Sequence, residues 1–185
     1  MNAYLSYGKS KVYGVLCLAL LFTPNEIQAA VASSVIGILD GDTIEVLHDN
    51  RRERIRLSGI DCPEKGQAYG AKAKQATSAL VFGKEVTLET LGTDKYGRTI
   101  ADVSLPNGVN VNLELVRNGW CWWYQKYAPD NVILAELQRR ARRSGLGLWA
   151  DPHPVPPWEW RKPRVAHSTP VPTSRQRRWP DSSTP

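Results

Sequence analysis

The sequence has few of the residues on which many enzyme mechanisms depend. Its 185 residues include only three histidines and three cysteines, and these do not have the spacing of a zinc site. No serine or cysteine has an evident histidine partner, so a nucleophilic triad is not indicated. Gly8-Lys9-Ser10 resembles the end of a phosphate-binding P-loop, but Ala3 stands where its first glycine belongs. With a zinc site, a nucleophilic triad and a P-loop not indicated, the remaining mechanisms are those that rely on carboxylates and arginines.

A long apolar run is also missing. The hydrophobic stretch at residues 12–22 has eleven residues, whereas an uncleaved membrane anchor, the alternative to a signal, needs about 20. Lys9 and Lys11 precede this stretch and Ala-Val-Ala follows at 30–32, which is typical of a cleaved export signal. We therefore predict a signal peptide over residues 1–32 and a periplasmic or extracellular mature protein without stable membrane association.

Two cysteines remain once the predicted signal peptide, which contains Cys17, is removed. Cys62 and Cys121 would then lie in an oxidising compartment, where disulfides persist. The sequence does not show whether their Cα atoms come within bonding range. A disulfide and two partly buried thiols both remain open.

The net charge of +6 favours a polyanionic partner such as nucleic acid, or an anionic surface. Residues 151–185 carry six basic and three acidic residues, so half of the excess lies in the tail. This tail is rich in Pro, Ser, Thr and Arg without periodicity, which predicts a largely disordered extension. Whether Trp158 and Trp160 pack its first part onto the domain stays open, as does phosphate attraction by its arginines.

Hydrophobic patterning predicts an α+β, mainly β domain over residues 33–150. Strands are expected within 33–59 and as a hairpin over 84–105 with Gly97 at its turn. Helices are expected at 67–82, before Gly83, and over the segments 111–119 and 130–145. About five strands with three helices favour a small closed barrel of OB type over a parallel sheet.

The third predicted helix has the clearest pattern. Asp130 is the expected cap, and Ile133, Leu137 and Ala141 form the expected buried face. Gly145 is expected to end the helix after four arginines, which suit the negative end of its dipole.

Acidic residues gather at the expected strand ends and turns: Asp40, Asp42, Asp61 and Glu64. Hard cations such as Ca²⁺ and Mg²⁺ prefer several carboxylate or carbonyl oxygens. The Asp40-Gly-Asp42 sequence alone is a common turn, and Ile44 does not suit an EF-hand loop. The second acidic pair lies in the Pro-containing "DCPE" after an apolar strand, which favours a metal site.

Three motifs occur in order, "DGDT" at 40–43, "RLSGIDCPE" at 56–64 and "DKYGR" at 94–98. On these motifs the chain resembles the thermonuclease, or staphylococcal nuclease, family over residues 33–150. "VNLELVRNGW" and the closing "GLW" agree with the family's helical half. The loop "KGQAYG" after Glu64 is shorter than in the staphylococcal enzyme, so substrate contacts made there do not carry over.

The resemblance implies a Ca²⁺ site. Asp42 and Asp61 would ligate the ion by side-chain oxygens, and Cys62 only by its backbone carbonyl, since sulfur suits so hard a cation poorly. Asp40 would orient the ligands without touching the ion. Glu64 would activate the attacking water.

The resemblance also implies that Arg56 and Arg98 bind the scissile phosphate, where guanidinium groups offset developing negative charge. A surface charge for Arg56 and a turn-flanking position for Arg98 are the alternatives. The implied activity is hydrolysis of DNA and RNA with little sequence specificity, leaving 3′-phosphate ends. We expect a monomer.

Further substrate contacts are expected from four residues, Lys95, Tyr96, Tyr124 and Tyr127, by phosphate binding or base stacking. Core packing is the alternative for the tyrosines and the favoured role of Trp120, Trp122 and Trp123. Two other functions remain as alternatives, a non-catalytic OB-fold nucleic-acid-binding module and a metal-dependent phosphodiesterase for small nucleotides.

Overall fold

Seven strands and four helices are formed by residues 31–163, the part of the chain that the computed structural model describes. In chain order they are β1 (Val31–Asp40), β2 (Thr43–His48), β3 (Arg51–Leu57), β4 (Ile60–Asp61), α1 (Gly70–Val81), β5 (Glu85–Thr93), β6 (Thr99–Ser104), α2 (Val111–Arg117), β7 (Trp122–Trp123), α3 (Val132–Arg143) and α4 (Pro157–Trp160). A 3₁₀ turn at Gly147–Ala150 precedes α4. The predicted signal peptide, apart from its last two residues, and the tail beyond residue 163 lie outside the described residues.

Five of the strands close into a barrel in the order β1-β2-β3-β6-β5. Neighbouring strands are antiparallel except β3 and β6, which run parallel with Ile55 opposite Thr99. β1 closes the ring by pairing with both β2 and β5, and a register shift between Val35 and Gly37 lets this long strand bend. The predicted mainly β fold with a five-stranded OB-type barrel is therefore confirmed.

The barrel is filled by apolar side chains that alternate along its strands. The buried residues of β2, β3, β5 and β6 are Ile44, Val46, Ile55, Leu57, Val86, Leu88, Ala101 and Val103. Burying a large aliphatic side chain contributes about 1.5–3 kcal/mol. The polar residues at the strand ends therefore project from a well-packed scaffold.

Of the three helices that the sequence predicts, α1 and α2 pack on the barrel and α3 packs on α2. α1 begins at Gly70 rather than at residue 67, and Gly83, with a φ of 73°, ends it as expected. Its buried Thr77 donates a hydrogen bond to the carbonyl of Gly41 at 2.5 Å, which ties the helix to the β1–β2 turn. Within residues 31–163 no helix is long and apolar enough to cross a bilayer.

The start and the buried face of α3 differ from the prediction. Asn131, not Asp130, caps the helix, because its side chain accepts a hydrogen bond from the Leu134 amide at 2.9 Å. Ile133 is 57% exposed, whereas Leu134 is 2% exposed and packs in the core. Leu134 and Ala141 are seven residues apart, so they share the inward face and Ile133 is turned toward solvent.

A second, two-stranded sheet fixes the segment that follows β3. β3 ends at Leu57, and β4, which follows it, pairs with β7 instead of joining the barrel. Cys62, directly after β4, forms a disulfide with Cys121, directly before β7. The pairing that the sequence leaves open is thus a disulfide, and it holds the loop containing Glu64 against the helical half.

Residues 151–163, which we call the C-terminal strap, fold back onto the domain. Trp158 stacks on Tyr124 with their ring centroids 5.2 Å apart, and its ring meets the edge of Trp122 at 5.6 Å. Gln67 donates a side-chain hydrogen bond to the Val155 carbonyl at 2.7 Å. The sequence leaves open whether Trp158 packs on the domain, and the structure shows that it does.

Candidate active site

The β1–β2 turn places Asp42 beside the segment formed by β4 and Cys62, which carries Asp61. A Cβ atom on Gly41 would lie 2.7 Å from the Cys62 Cβ and 2.9 Å from the Ala73 Cβ, so only glycine allows this close approach. Asp42 is 6% exposed, and its Oδ2 accepts a hydrogen bond from the Cys62 amide at 2.7 Å. The Asp42 carboxylate is therefore fixed in position by backbone.

Arg56 joins the two buried aspartates. Its Nη2 lies 3.1 Å from Asp42 Oδ2 and 3.1 Å from Asp61 Oδ1. The Nη1 of Arg56 donates to the Leu57 carbonyl at 2.8 Å, and the backbone of Arg56 is paired across β2 and β3 with Thr43. The structure thus brings Asp42, Arg56 and Asp61 into one cluster from three separate elements.

Arg98 reaches the same cluster from the β5–β6 hairpin. Its Nη1 donates to Thr43 Oγ1 at 3.3 Å, and Thr43 Oγ1 in turn donates to Asp42 Oδ1 at 3.3 Å. The hairpin turn contains Gly97 at a φ of 78°, as predicted. Arg98 therefore lies beside Asp42 although the two residues are far apart in the sequence.

Asp94 holds Arg98 in place and was not assigned a role from the sequence. Its Oδ1 accepts from the Tyr96 and Arg98 amides at 2.8 and 3.0 Å, and its Oδ2 lies 2.7 Å from Arg98 Nε. Burial opposes ionisation of Asp94, but the hydrogen bonds from Arg98 and Tyr96 hold its pKa below the usual value. The four-residue spacing within "DKYGR" is the sequence signal for this contact.

Glu64 lies on the loop after the disulfide and is clamped by Gln67. The backbone N–H of Glu64 donates to the side-chain Oε1 of Gln67 at 2.9 Å. The backbone N–H of Gln67 donates in turn to the backbone carbonyl of Glu64 at 2.9 Å. The Glu64 carboxylate is partly exposed and contacts Nη1 of Arg161. The loop thus presents a carboxylate beside the buried cluster with access to water.

Arg161 of the strap is the second site residue that the sequence does not reveal. Its Nη2 lies 2.7 Å from Asp61 Oδ2, and its Nη1 lies 3.2 Å from Asp61 Oδ1. Hydrogen bonds to Asp61 and then to Glu64 raise the pKa of Arg161. The contact joins Arg161 to Asp61, about a hundred residues earlier in the chain. A short sequence motif cannot reveal a contact over this distance.

The charge of Asp42 is incompletely balanced by the protein. Burial raises its pKa to about 7, and the nearby charges of Asp40 and Asp61 act in the same direction. Arg56 and the Cys62 amide oppose this shift but do not cancel it. Buried carboxylates of this kind are stabilised by an additional cation.

The residues present fit a hard dication. Among residues 31–163 no preformed group of three or more His, Cys, Asp or Glu side chains converges as a metal centre. The cluster instead offers the buried carboxylates of Asp42 and Asp61, and Cys62 can add only its carbonyl, because its sulfur is in the disulfide. Asp40 Oδ1 accepts from the Asp42 amide at 3.2 Å. Oxygen donors of this kind suit Ca²⁺.

The four predicted substrate-contact residues lie in two groups. Tyr96 is 72% exposed, with Lys95 Nζ 4.9 Å and Arg98 Cζ 5.6 Å from its ring centroid. Tyr124 is half-buried, stacks on Trp158 and meets the edge of the Tyr127 ring at 4.9 Å. The first group is beside Arg98, a predicted phosphate-binding arginine, and the second is beside Trp158 of the strap.

The predicted core tryptophans mainly pack within the protein. The rings of Trp122 and Trp149 meet edge to face with centroids 4.3 Å apart. Trp123 donates from its indole to the Ala128 carbonyl at 2.9 Å, and Trp120 packs against the main core. These contacts agree with packing as their favoured role.

The raised pKa of Asp42 makes the stability of the metal-free protein dependent on pH. Because its pKa is about 7 in the folded state and 3.8 ordinarily, the contribution of Asp42 to the free energy of unfolding is greatest below about pH 4 and is lost as pH rises through 7. In the wild type, this loss should lower the free energy of unfolding by a few kcal/mol between about pH 4 and 8.5, and Asp42→Asn should remove that decrease. The measurement is urea unfolding of both proteins in chelator from pH 4 to 8.5. Parallel stability curves for the two proteins would contradict the expectation.

Reduction of the Cys62–Cys121 disulfide should destabilise the protein strongly. The two cysteines are 59 residues apart, and the chain-entropy model gives about 4 kcal/mol for a loop of this length. Urea unfolding with and without reductant measures the effect. A Cys62→Ser, Cys121→Ser double variant is the control, since reductant should not change its midpoint. Equal midpoints for the oxidised and reduced wild type would contradict the prediction.

Comparison with known proteins adds a family to this geometry. The family model described as staphylococcal nuclease homologue matches residues 54–151. An "Uncharacterized endonuclease" of Escherichia coli O157:H7 is 47% identical over 133 residues, which cover 72% of this chain and 86% of the relative. The "Micrococcal nuclease" of Shigella flexneri is 42% identical over 137 residues, with 69% and 79% covered. "Protein ParB" of Escherichia coli is 39% identical over 168 residues, with 83% and 94% covered.

The family match includes Arg56, Asp61, Glu64 and Arg98, whereas Asp42 lies before its first residue. The relatives extend the similarity over more of the chain than the family model does. On these similarities the chain belongs to the staphylococcal nuclease family, and nuclease activity is the function that this membership supports.

Proposed function

We propose that this protein is an exported, Ca²⁺-dependent nuclease that hydrolyses phosphodiester bonds in DNA and RNA with little sequence specificity and leaves 3′-phosphate ends. The observation that carries the proposal is the cluster in which one Arg56 nitrogen lies 3.1 Å from both Asp42 and Asp61. Arg98 is linked to this buried cluster through the hydroxyl of Thr43. The arrangement combines a cation site with groups that attract phosphate.

The two arginines act on the phosphate. A phosphodiester is negatively charged, so it repels an attacking water or hydroxide, and attack adds further charge to its equatorial oxygens. Arg56 and Arg98 offset this charge with planar, permanently charged guanidinium groups. Asp94 and Thr43 hold Arg98 in a fixed orientation, which reduces the reorganisation needed during the reaction.

The carboxylates divide into two roles. Asp42 and Asp61, with the carbonyl of Cys62, would hold Ca²⁺, which when bound supplies positive charge for neutralising the phosphate oxygens. The carboxylate of Asp40 orients Asp42 by accepting a hydrogen bond from the Asp42 backbone amide. Glu64 is partly exposed, so it can accept the proton of the attacking water.

The substrate contacts carry little sequence information. Lys95 and Tyr96 lie beside Arg98 on an exposed hairpin, where they can bind an adjacent phosphate or stack on a base. Tyr124 and Tyr127 would add a separate contact beside the strap. Phosphate contacts and stacking do not distinguish bases, which supports low sequence specificity. The name of the Shigella flexneri relative, "Micrococcal nuclease", supports a polymeric nucleic-acid substrate.

Export to the periplasm or the cell exterior is supported by the Cys62–Cys121 disulfide, because such bonds persist in oxidising compartments. Cleavage after residue 32 would remove two residues of β1 that pair with β5. Ser33 and Ser34 would keep their pairing with Val86 and Glu85. The proposed mature chain, a monomer, therefore retains the closure of the barrel.

One assay tests the proposal against its alternatives. The purified protein is incubated with plasmid DNA, with RNA and with dinucleotides, each in Ca²⁺ or in chelator. Degradation of both polymers only with Ca²⁺, with new ends that phosphatase treatment makes extendable, is the expected result. Retarded but uncut DNA in both conditions would indicate a binding module. Cleavage of dinucleotides but not of polymers would indicate a small-nucleotide phosphodiesterase.

A further inference from the structure

A positive side chain from the strap lies directly on the proposed metal site. Arg161 forms a two-nitrogen contact with the Asp61 carboxylate, with distances of 2.7 Å to Oδ2 and 3.2 Å to Oδ1. The same guanidinium contacts Glu64. A single residue therefore engages both a proposed metal ligand and the proposed base.

The strap is anchored just before this contact, so the position of Arg161 is defined. Gln67, buried next to the Glu64 loop, donates to the carbonyl of Val155 at 2.7 Å. Pro157 is buried, and Trp158 stacks on Tyr124 with the ring planes 2° apart. These contacts lie six, four and three residues before Arg161, within one short segment.

The contact of Arg161 with Asp61 uses the oxygens that a metal would use. Asp61 Oδ1 accepts hydrogen bonds from both Arg56 and Arg161, and Asp61 Oδ2 accepts one from Arg161 at 2.7 Å. A dication bound to this carboxylate would stand next to the guanidinium, and the two positive charges would repel each other. The Asp61 carboxylate therefore favours one of them at a time.

We propose that Arg161 holds the place of the dication in the metal-free protein and leaves Asp61 and Glu64 when the cation binds. The strap thereby sets the metal affinity of the site and keeps Glu64 engaged until the metal arrives. This inference rests on the metal site of the proposed function. It adds a competing residue from outside the three motifs that mark the site in the sequence.

The test is direct Ca²⁺ binding by the purified protein, measured by equilibrium dialysis without substrate. Arg161→Ala should lower the Ca²⁺ dissociation constant by about tenfold, since it removes a charge-assisted contact that the metal must displace. Arg161→Gln should do the same, because it also removes the charge. Lys162→Ala is the matched control, since Lys162 carries the same charge but pairs with Glu159. Melting curves establish that each variant is folded.

Each outcome decides the inference. Tighter binding by both Arg161 variants, with Lys162→Ala unchanged and Asp61→Asn unable to bind, supports it. Unchanged or weaker binding by the Arg161 variants overturns it while leaving the metal site intact. Equal tightening by Lys162→Ala overturns it in favour of general charge repulsion. Binding that Asp61→Asn does not reduce overturns both the metal site and this inference.

Discussion

Replacing Arg98 with alanine is expected to lower kcat/KM for DNA hydrolysis by about 100- to 1,000-fold, the scale for losing one preorganised group that stabilises transition-state charge. Arg98 is fixed by Asp94 and by Thr43, so its guanidinium is oriented before the phosphate arrives. The fold should survive, because Arg98 lies at the edge of the barrel rather than in its core. Initial rates on plasmid DNA in saturating Ca²⁺ measure the loss.

Two variants make the Arg98 result specific. Arg98→Lys keeps the charge but not the planar fork, so it should recover only part of the activity. Arg54→Ala removes an exposed charge opposite Glu45 on the same barrel and should leave kcat/KM within about twofold, as expected for a surface charge. Equal losses in Arg98→Ala and Arg54→Ala would show that net charge, and not the position of Arg98, determines the rate.

Glu64→Gln is expected to lower kcat by about 100- to 10,000-fold, the range for a general base. The amide keeps the size of the side chain but cannot accept the proton of the attacking water. Residue 64 contacts Gln67 through its backbone N–H and carbonyl. The substitution leaves these groups unchanged, so the loop should keep its position. Single-turnover rates in saturating Ca²⁺ measure the effect.

Glu159→Gln is the matched control for Glu64→Gln. Glu159 is an exposed carboxylate of the strap that pairs with Lys162, and the same substitution there should leave turnover near the wild-type value. The Ca²⁺ dissociation constant of Glu64→Gln should not rise, because the substitution removes a partner of Arg161 and not a proposed metal ligand. Near-normal turnover in Glu64→Gln would remove this residue from the proposed mechanism.

The barrel was predictable because its information is local. Residues such as Ile44, Ile55 and Leu57 alternate with polar neighbours, and this alternation identifies strands and their inward faces. Gly97 is also a local signal, because glycine is the residue that most readily adopts a positive φ at a hairpin turn. Its φ in the structure is 78°. The grouping of Asp42, Asp61, Arg56 and Arg98 was predicted from the family resemblance.

The remaining features depend on contacts that periodicity does not encode. The cap of α3 fell on Asn131 instead of Asp130, because both residues are good caps and the chain path chooses between them. The β4–β7 pairing and the Cys62–Cys121 bond depend on how two distant segments meet. Arg161 could not be found in the same way, because a single arginine in a Pro-rich segment gives no local signal.

The parallel pairing of β3 with β6 has a consequence for how activity returns after denaturation. β1, β2 and β3 form a meander and β5 with β6 forms a hairpin, whereas the β3–β6 seam joins Ile55 to Thr99. Arg56 and Arg98 lie on opposite sides of this seam. Since pairings between distant segments form slowly, the regain of catalysis during refolding should follow closure of the seam and lag behind formation of the meander and the hairpin.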